Sequence, residues 1–348
     1  MRKKDSKSKK NISGVAINLV LVIAGILIPL ASLELALRAL NHKGKDLNIE
    51  MFKYAKSMKK ASSNAKLGHE HVASKYAHLM GVDVYTNNLG LRDKDDFKEP
   101  QGTKSNGVKI AFLGDSFTMG WGVKQSHTIP ELLEKKFNLI PECNNSVRVF
   151  NLGVGNYNST QELEAYKKYY PLIRPDSVIL LHFINDAEKY TRKQPNIFTK
   201  NLFLVNYFNS RFITNDKGNY YQYYSDLYNN ESWNGNKASL IDLNKLVLKT
   251  TGRPLSIYAL PELREIDPNS NLNAAYAKRD EFFHNSNFQW HDLKKALQNS
   301  AGNNASKLWV TEQDSHSNEF ANAVIANDIF NHQKLFAQEL CAQKNQGS

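Results

Sequence analysis

The strongest constraint on the fold is residues 109–118, which read KIAFLGDSFT. The four consecutive apolar residues 110–113 are typical of a buried parallel strand. Gly114 ends this run, and Asp115 and Ser116 follow it on a turn. In α/β folds such a turn lies at the carboxyl edge of the sheet, where ligands bind. Its backbone N–H groups point towards whatever lies above the serine. The stretch therefore predicts a strand followed by a turn that suits a nucleophile.

The tripeptide Gly-Asp-Ser is a weak signal when taken alone. A polar turn in which Ser116 or Asp115 caps the next helix is the simpler interpretation. After a glycine-containing loop, residues 129–137 have apolar side chains at helical spacing, which predicts that helix. Three distant stretches of the chain favour the catalytic interpretation of the serine.

The chain from residue 108 onwards alternates between predicted strands and helices. Further strands are predicted at residues 147–152, 177–184 and 255–259, with a short fifth near 288–290. The last helix is predicted to begin near Asn318. Strands that alternate with helices imply a parallel, doubly wound sheet. Residues 190–250, rich in Tyr, Phe and Asn, interrupt this rhythm as an inserted lid or as an ordinary surface excursion.

Candidate functional side chains follow the ends of these predicted strands. Acyl transfer needs a hydroxyl, an imidazole that takes its proton, a carboxylate that orients the imidazole, and N–H donors for the oxyanion. Each candidate has a plain alternative as a helix cap, but their coincidence in this order favours a catalytic site. In chain order the candidates are Ser116, Gly155, Asn156, Asn185, Asp314 and His316.

Three of these stretches resemble the motif blocks of the SGNH (GDSL-type) hydrolase family. Residues 114–118 are similar to its first block, Asn185-Asp186 to its third, and Asp314-Ser315-His316 to its last. The resemblance runs from about Tyr85 to the C-terminus. It implies a flavodoxin-like α/β/α sandwich with a parallel sheet, and serine-dependent ester hydrolysis. It implies no cofactor and no metal.

The resemblance also implies roles for individual residues. Ser116 would be the nucleophile, His316 the base and Asp314 the group that orients it. The oxyanion donors would be the Ser116 N–H, the Asn185 amide and an N–H of the second block. There the family's glycine falls on Asn156, with Gly155 one residue earlier. Only the backbone N–H is required, and Asn tolerates left-handed geometry.

The net charge of +11 is concentrated at the N-terminus. Residues 1–66 hold 14 Lys and Arg against 4 Asp and Glu, whereas the remainder holds 31 against 30. The basic excess flanks a hydrophobic segment, because residues 14–32 contain no charge. This pattern suits a membrane surface better than a nucleic acid, so no nucleic-acid partner is expected.

The hydrophobic segment predicts a transmembrane helix rather than a cleaved signal peptide, since it is long and no small-residue cleavage site is convincing. The denser basic cluster precedes it, which places residues 41–348 outside the cytoplasm, in the periplasm or at the cell surface. The predicted parts are a cytoplasmic basic tail (1–12), a membrane anchor (13–40), a stalk or lead-in (41–84) and an SGNH hydrolase-like domain (85–348) with an insertion at about 190–250.

Cys143 and Cys341 permit one disulfide in an oxidising compartment. We expect two unpaired thiols, because the sequence gives no distance between them. His69, His71 and His78 fit no zinc pattern, so we expect solvated histidines and no metal site.

Chains with one N-terminal anchor and the lead-in NNLGLRD, here residues 87–93, resemble bacterial envelope proteins that act on O-acyl groups of polysaccharides. The prediction is a single-pass membrane serine esterase that removes O-acetyl groups from a cell-envelope or extracellular polysaccharide. Its partners would be an acylated carbohydrate or small ester and the membrane. An O-acetyltransferase with the same triad, or a catalytically silent carbohydrate-binding or assembly protein on this fold, remain alternatives.

Overall fold

The computed structural model of the chain describes residues 6–40, 44, 46–98, 107–190, 201–208, 220–267 and 269–346. It begins with helix α1 (Ser6–Leu40). The apolar part of this helix, residues 14–40, is long enough to cross a membrane, because the hydrocarbon core of a bilayer needs about 20 helical residues. A signal sequence passes the same test of length and composition.

The lead-in folds into a helix and two antiparallel strand pairs, β1 with β2 and β3 with β4. Its elements are α2 (Leu47–Ser57), β1 (Lys59–Ala61), β2 (His69–His71), β3 (Tyr76–Leu79) and β4 (Val82–Tyr85). Tyr54, Met58 and Val84 form one buried cluster with Met119 and Trp121, which follow Ser116 along the chain. Residues 47–84, predicted as a stalk or lead-in, therefore pack against the domain. Their apolar periodicity is weak, so the sequence gives little sign of this packing.

The centre of the molecule is a sheet of five parallel strands in the spatial order β6-β5-β7-β8-β9. Counted from the first strand, this is the flavodoxin-like order 2-1-3-4-5. The predicted parallel sheet is confirmed, including its short fifth strand. The strands are β5 (Val108–Leu113), β6 (Val147–Asn151), β7 (Ser177–His182), β8 (Ser256–Ala259) and β9 (Gln289–Asp292).

Helices cover both faces of this sheet, as right-handed crossovers require. The helix after β5 packs against the C-terminal helix, and the helix after β6 packs against the helix before β8. The helices that follow β5 along the chain are α3 (Ser116–Met119), α4 (Ile129–Asn138), α5 (Ser159–Ile173), α6 (Phe203–Phe208), α7 (Tyr220–Leu227), α8 (Glu231–Thr251), α9 (Asn273–Asn285), α10 (Lys294–Ala301) and α11 (Glu319–Gln346). A hairpin of β10 (Trp309–Thr311) and β11 (Asp314–Ser317) precedes α11.

The predicted insertion is narrower than its stated bounds. Helix α8 packs on α5 and leads into β8, so residues 231–250 belong to the sandwich. Residues 191–200 and 209–219 lie outside the described residues. Helix α6 lies against α1, where the Glu34 carboxylate accepts hydrogen bonds from the N–H groups of Phe203 (3.1 Å) and Leu204 (2.8 Å).

Cys143 and Cys341 form a disulfide, so the expectation of two unpaired thiols is wrong. Both cysteines are buried, and their Cα atoms lie 4.9 Å apart although 198 positions separate them in the sequence. Helix α11 packs on α4, which brings its Cys341 to the loop that contains Cys143. That approach depends on the tertiary fold and has no local signature in the sequence.

We predict that replacing both cysteines by alanine lowers the free energy of unfolding by about 2–4 kcal/mol, because the crosslink restricts a long loop of the unfolded chain. Chemical denaturation with and without dithiothreitol measures the loss. The reductant should destabilise the wild-type protein and leave the double variant unchanged. A wild-type midpoint that does not respond to reduction would contradict the crosslink.

Candidate active site

Ser116 is the first residue of α3, directly after the turn that ends β5. Asp115 caps this short helix, and its Oδ1 accepts a hydrogen bond of 2.9 Å from the Phe117 N–H. Because the first N–H groups of a helix have no partner within the helix, the Ser116 N–H faces the site above the turn. The sequence therefore fixes the serine through a strand end and a capping aspartate.

The structure brings together Ser116, His316 and Asp314 from opposite ends of the domain. The Ser116 Oγ lies 2.8 Å from His316 Nε2, and His316 Nδ1 lies 2.5 Å from Asp314 Oδ1. The Ser116 hydroxyl donates to Nε2 when Nδ1–H donates to the carboxylate, which is the tautomer that a general base requires. The hydroxyl, imidazole and carboxylate are arranged as in serine hydrolases.

Asp314 is held by more than its histidine. The indole Nε1–H of buried Trp121 donates to Asp314 Oδ2 at 2.9 Å, and the His316 backbone N–H donates to Oδ1 at 3.1 Å. Burial of Asp314 by itself raises its pKa, but the hydrogen bonds and the nearby imidazole outweigh burial and hold the pKa below its usual value. Asp314 is therefore an ionised acceptor that can stabilise an imidazolium. Sequence reasoning missed Trp121, which no motif spacing indicates.

Asn185 follows β7 and reaches back to the serine turn. Its Nδ2 donates a hydrogen bond of 2.9 Å to Asp115 Oδ2, which fixes the plane of the amide. The amide nitrogen carries a second hydrogen that remains for a ligand oxygen. Burial raises the pKa of Asp115 even though the Phe117 N–H and the Asn185 amide donate hydrogen bonds to it. Asp115 thus both caps α3 and orients the predicted oxyanion donor.

The neighbouring Asp186 binds the backbone of its own turn. It is fully buried, and its Oδ2 accepts a hydrogen bond of 2.9 Å from the Phe183 N–H. Burial, with the buried carboxyl groups of Glu162 and Asp115 nearby, raises the pKa of Asp186 well above its usual value. Asp186 therefore stabilises the turn that carries Asn185.

The loop after β6 supplies only one of the two predicted backbone donors. The Gly155 N–H donates to the Tyr54 hydroxyl at 2.9 Å, so it is not available to an oxyanion. A side chain at position 155 would meet the Tyr54 ring, because an added Cβ would lie 2.8 Å from that ring. Asn156 has the left-handed conformation expected for it, with φ of 66°. Of this pair, the Asn156 N–H is the one that remains for the oxyanion.

Residues of the lead-in hold this loop in place. The Tyr54 hydroxyl, which accepts from Gly155, donates in turn to His71 Nε2 at 2.6 Å, and His71 Nδ1–H donates to the Gly90 carbonyl at 3.2 Å. Burial, followed by the charge of Lys59, lowers the pKa of His71 to about 3, so the ring is neutral as this relay requires. The expectation that His71 is solvated is wrong.

A second group of lead-in residues binds the Gly155 carbonyl. Lys59 Nζ donates to this carbonyl at 2.5 Å and to the Asn156 side-chain oxygen at 3.0 Å. His69 Nε2–H donates to the same carbonyl at 3.0 Å. Burial lowers the pKa of Lys59 to about 7. No sequence signal links these residues to the loop, since they lie about a hundred positions before it.

Several solved structures are similar to this one. An alpha/beta hydrolase enzyme from the metagenome of Lake Arreo, Spain, shares 15% identity at a TM-score of 0.43, over 68% of this chain and 96% of that chain. An acetyl xylan esterase shares 14% identity at a TM-score of 0.40, over 65% of this chain and 99% of that chain. A GDSL-like lipase from Parabacteroides merdae shares 12% identity at a TM-score of 0.36, over 68% of this chain and 96% of that chain. No protein-family model and no curated protein matches the sequence.

The strand order and the positions of the motif residues on it agree with the predicted resemblance. Ser116 follows the first strand of the sheet, Asn185 follows the third, and His316 precedes the last helix. The sheet has the flavodoxin-like strand order that the resemblance implies. In such a fold the carboxyl ends of parallel strands meet at one edge, which is where an open α/β sheet binds its ligands. The four candidate side chains therefore belong to one site.

We predict that Tyr54→Phe lowers kcat for a small ester about 5–10-fold with little change in KM. The substitution leaves the Gly155 N–H without its acceptor. The loop after β6, here called the oxyanion loop, then loses about 1 kcal/mol of stabilisation. Steady-state hydrolysis of a p-nitrophenyl ester measures both constants.

Tyr76→Phe is the matched control, since the Tyr76 hydroxyl donates to Asp83 on the exposed β3–β4 pair. It should leave both constants unchanged. A Tyr54→Phe protein with the kcat of the wild type would show that the lead-in does not position the loop.

Proposed function

We propose that the chain is a serine esterase that removes O-acetyl groups from a cell-envelope or extracellular polysaccharide. The observation that carries this proposal is the pair of contacts at His316, 2.8 Å to the Ser116 hydroxyl and 2.5 Å to the Asp314 carboxylate. If Ser116 and Asp314 only capped helices, the His316 imidazole would not need to lie between the Ser116 hydroxyl and the Asp314 carboxylate. Ser116 and His316 are 200 positions apart in the sequence.

In the proposed mechanism, His316 Nε2 takes the proton of Ser116 as the hydroxyl oxygen attacks the ester carbonyl. The resulting oxyanion receives hydrogen bonds from the Ser116 N–H, the Asn156 N–H and the Asn185 amide. Collapse of the tetrahedral intermediate breaks the bond to the sugar oxygen, which takes the proton from His316 and leaves as a hydroxyl group. Water, activated by the same imidazole, then releases acetate and restores the serine.

The polysaccharide part of the proposal rests on the resemblance to envelope proteins and on a cavity whose lining includes Asn158, close to Asn156 along the chain. This cavity has a volume of about 420 Å³. Its lining is rich in hydroxyl, amide, carboxylate and aromatic groups, among them Thr160, Glu188 and Tyr190. Hydroxyl-rich sugars need such a mixture of hydrogen-bonding groups and a flat ring.

We also propose that the domain lies outside the cytoplasm and is held at the membrane by α1. The basic residues before α1 support this orientation. The disulfide between Cys143 and Cys341 supports an oxidising compartment. Helix α6 binds near the end of α1 through Glu34, and Arg38 lies over the Phe203 ring at 4.5 Å. These contacts would keep the domain close to the membrane surface.

The test is acetate release from a panel of O-acetylated glycans by the full chain in detergent. We predict release by the wild type and none by Ser116→Ala or His316→Ala. The double variant should lose no more activity than either single variant, since the two residues act as one unit. Asn138→Ala, outside the site, serves as the matched variant with normal release.

Three outcomes would separate the alternatives. Acetate transfer to an acceptor glycan in place of release would favour the O-acetyltransferase. Glycan binding without turnover in a folded wild-type protein would favour the silent binding or assembly protein. Turnover by a folded Ser116→Ala protein would contradict the serine mechanism altogether.

A further inference from the structure

A second cluster of polar side chains lies between the edge strand of the sheet and the last helix. It consists of His291 on β9 and of Asp328 and His332 on α11. Each side chain offers one nitrogen or oxygen atom, and these three atoms lie within 4.8 Å of one another. None of the three residues belongs to a motif or takes part in the mechanism proposed for Ser116.

The fold brings these residues together in a simple way. Asp328 and His332 are four positions apart on α11, so they lie on the same face of the helix one turn apart. That face meets the outermost strand at His291, whose Nε2 lies 2.8 Å from Asp328 Oδ2. The cluster therefore links the free edge of the sheet to the helix that covers it.

The hydrogen bonds within the cluster leave a lone pair on its exposed imidazole. His332 Nδ1–H donates to the Asp328 backbone carbonyl at 2.8 Å, which places the lone pair on Nε2. The His291 and His332 rings are tilted by 38° to each other, with centroids 3.7 Å apart.

The residues around the cluster complete a half-buried pocket. The Tyr258 ring on β8 lies 6.0 Å from the His291 ring and 6.5 Å from the His332 ring. The Tyr258 hydroxyl accepts a hydrogen bond from Gln333 at 2.9 Å, so it is turned away from the imidazoles. The side chains of His291 and Asp328 are 33% and 21% exposed, whereas that of His332 is 45% exposed. An ion can therefore enter from the solvent side, past His332.

We propose that His291, Asp328 and His332 bind one divalent transition-metal ion, with Zn²⁺ as the best match to two imidazoles and one carboxylate. Two ligand atoms of a tetrahedral zinc ion lie about 3.3 Å apart, given bond lengths of about 2.0–2.1 Å. The contact of 2.8 Å between His291 and Asp328 needs to widen only slightly. The exposed His332 ring rotates away from the His291 ring and gives up its hydrogen bond to the Asp328 carbonyl. This rotation brings His332 Nε2 to the ion, and water fills the fourth position.

The ion would hold the edge strand to α11 and would take no part in catalysis. His316 precedes α11, and Asp328 lies nine residues after the helix start at Glu319, which is about 13 Å along the axis. A ligand that binds the folded chain more tightly than the unfolded chain stabilises the fold by mass action. Metal binding is therefore expected to raise the unfolding temperature and to leave ester hydrolysis unchanged.

The experiment uses the full chain in detergent, freed of metal with a chelator and then titrated with Zn²⁺ by calorimetry. The expected result is one ion per chain and a rise in the unfolding temperature. His291→Ala and His332→Ala should each weaken the affinity at least about tenfold, since each removes a direct ligand. Substitution by Co²⁺ should give the strong visible absorption of a four-coordinate site in the wild type and lose it in both variants.

His78→Ala is the matched control, because His78 contacts Asp83 at the same distance, 2.8 Å. Among the described residues, this pair has no third side chain nearby that could bind a metal ion. His78→Ala should leave zinc binding unchanged. Equal affinity in the wild type and in both cluster variants would overturn the proposal, as would an equal loss in His78→Ala. His332 is exposed, so His332→Ala should fold normally, and unfolding of the metal-free variants at the wild-type temperature checks this.

Discussion

The hydrogen bond between Ser116 and His316 joins residues 200 positions apart, and the rest of the site depends on holding its two ends still. The serine end is fixed by the end of β5 and by Asp115, which caps α3 and also binds Asn185. The histidine end is fixed by Asp314 on the β10–β11 hairpin, and Asp314 is fixed by Trp121. Since Trp121 follows the serine helix, the chain closes a ring of contacts around the imidazole.

The lead-in completes this arrangement from outside the sandwich. Tyr54 receives the Gly155 N–H, and Lys59 and His69 bind the Gly155 carbonyl, so three side chains hold the two peptide groups on either side of the Gly155 Cα. The same lead-in follows directly from α1. The segment next to α1 is thus part of the structure that shapes the site, and deletion of residues 1–84 would remove these contacts.

The sequence predicted those features that have a local signature. Apolar runs such as residues 110–113 revealed the strands, and their alternation with helices revealed the parallel sheet. The motifs predicted Ser116, Asp314 and His316 as one catalytic group, and the structure places them within hydrogen-bonding distance. It missed the contacts of Tyr54 and Trp121 and the pairing of Cys143, because each joins residues about a hundred or more positions apart. Such contacts arise from packing and leave no periodic pattern in the chain.

The central claim is that His316 activates Ser116, and labelling with a fluorophosphonate tests it most directly. The wild-type chain should carry a single covalent adduct, which mass spectrometry of its peptides should locate on Ser116. His316→Ala should react far more slowly, since the hydroxyl then lacks its base. An adduct on a different residue, or labelling of His316→Ala at the rate of the wild type, would contradict the account.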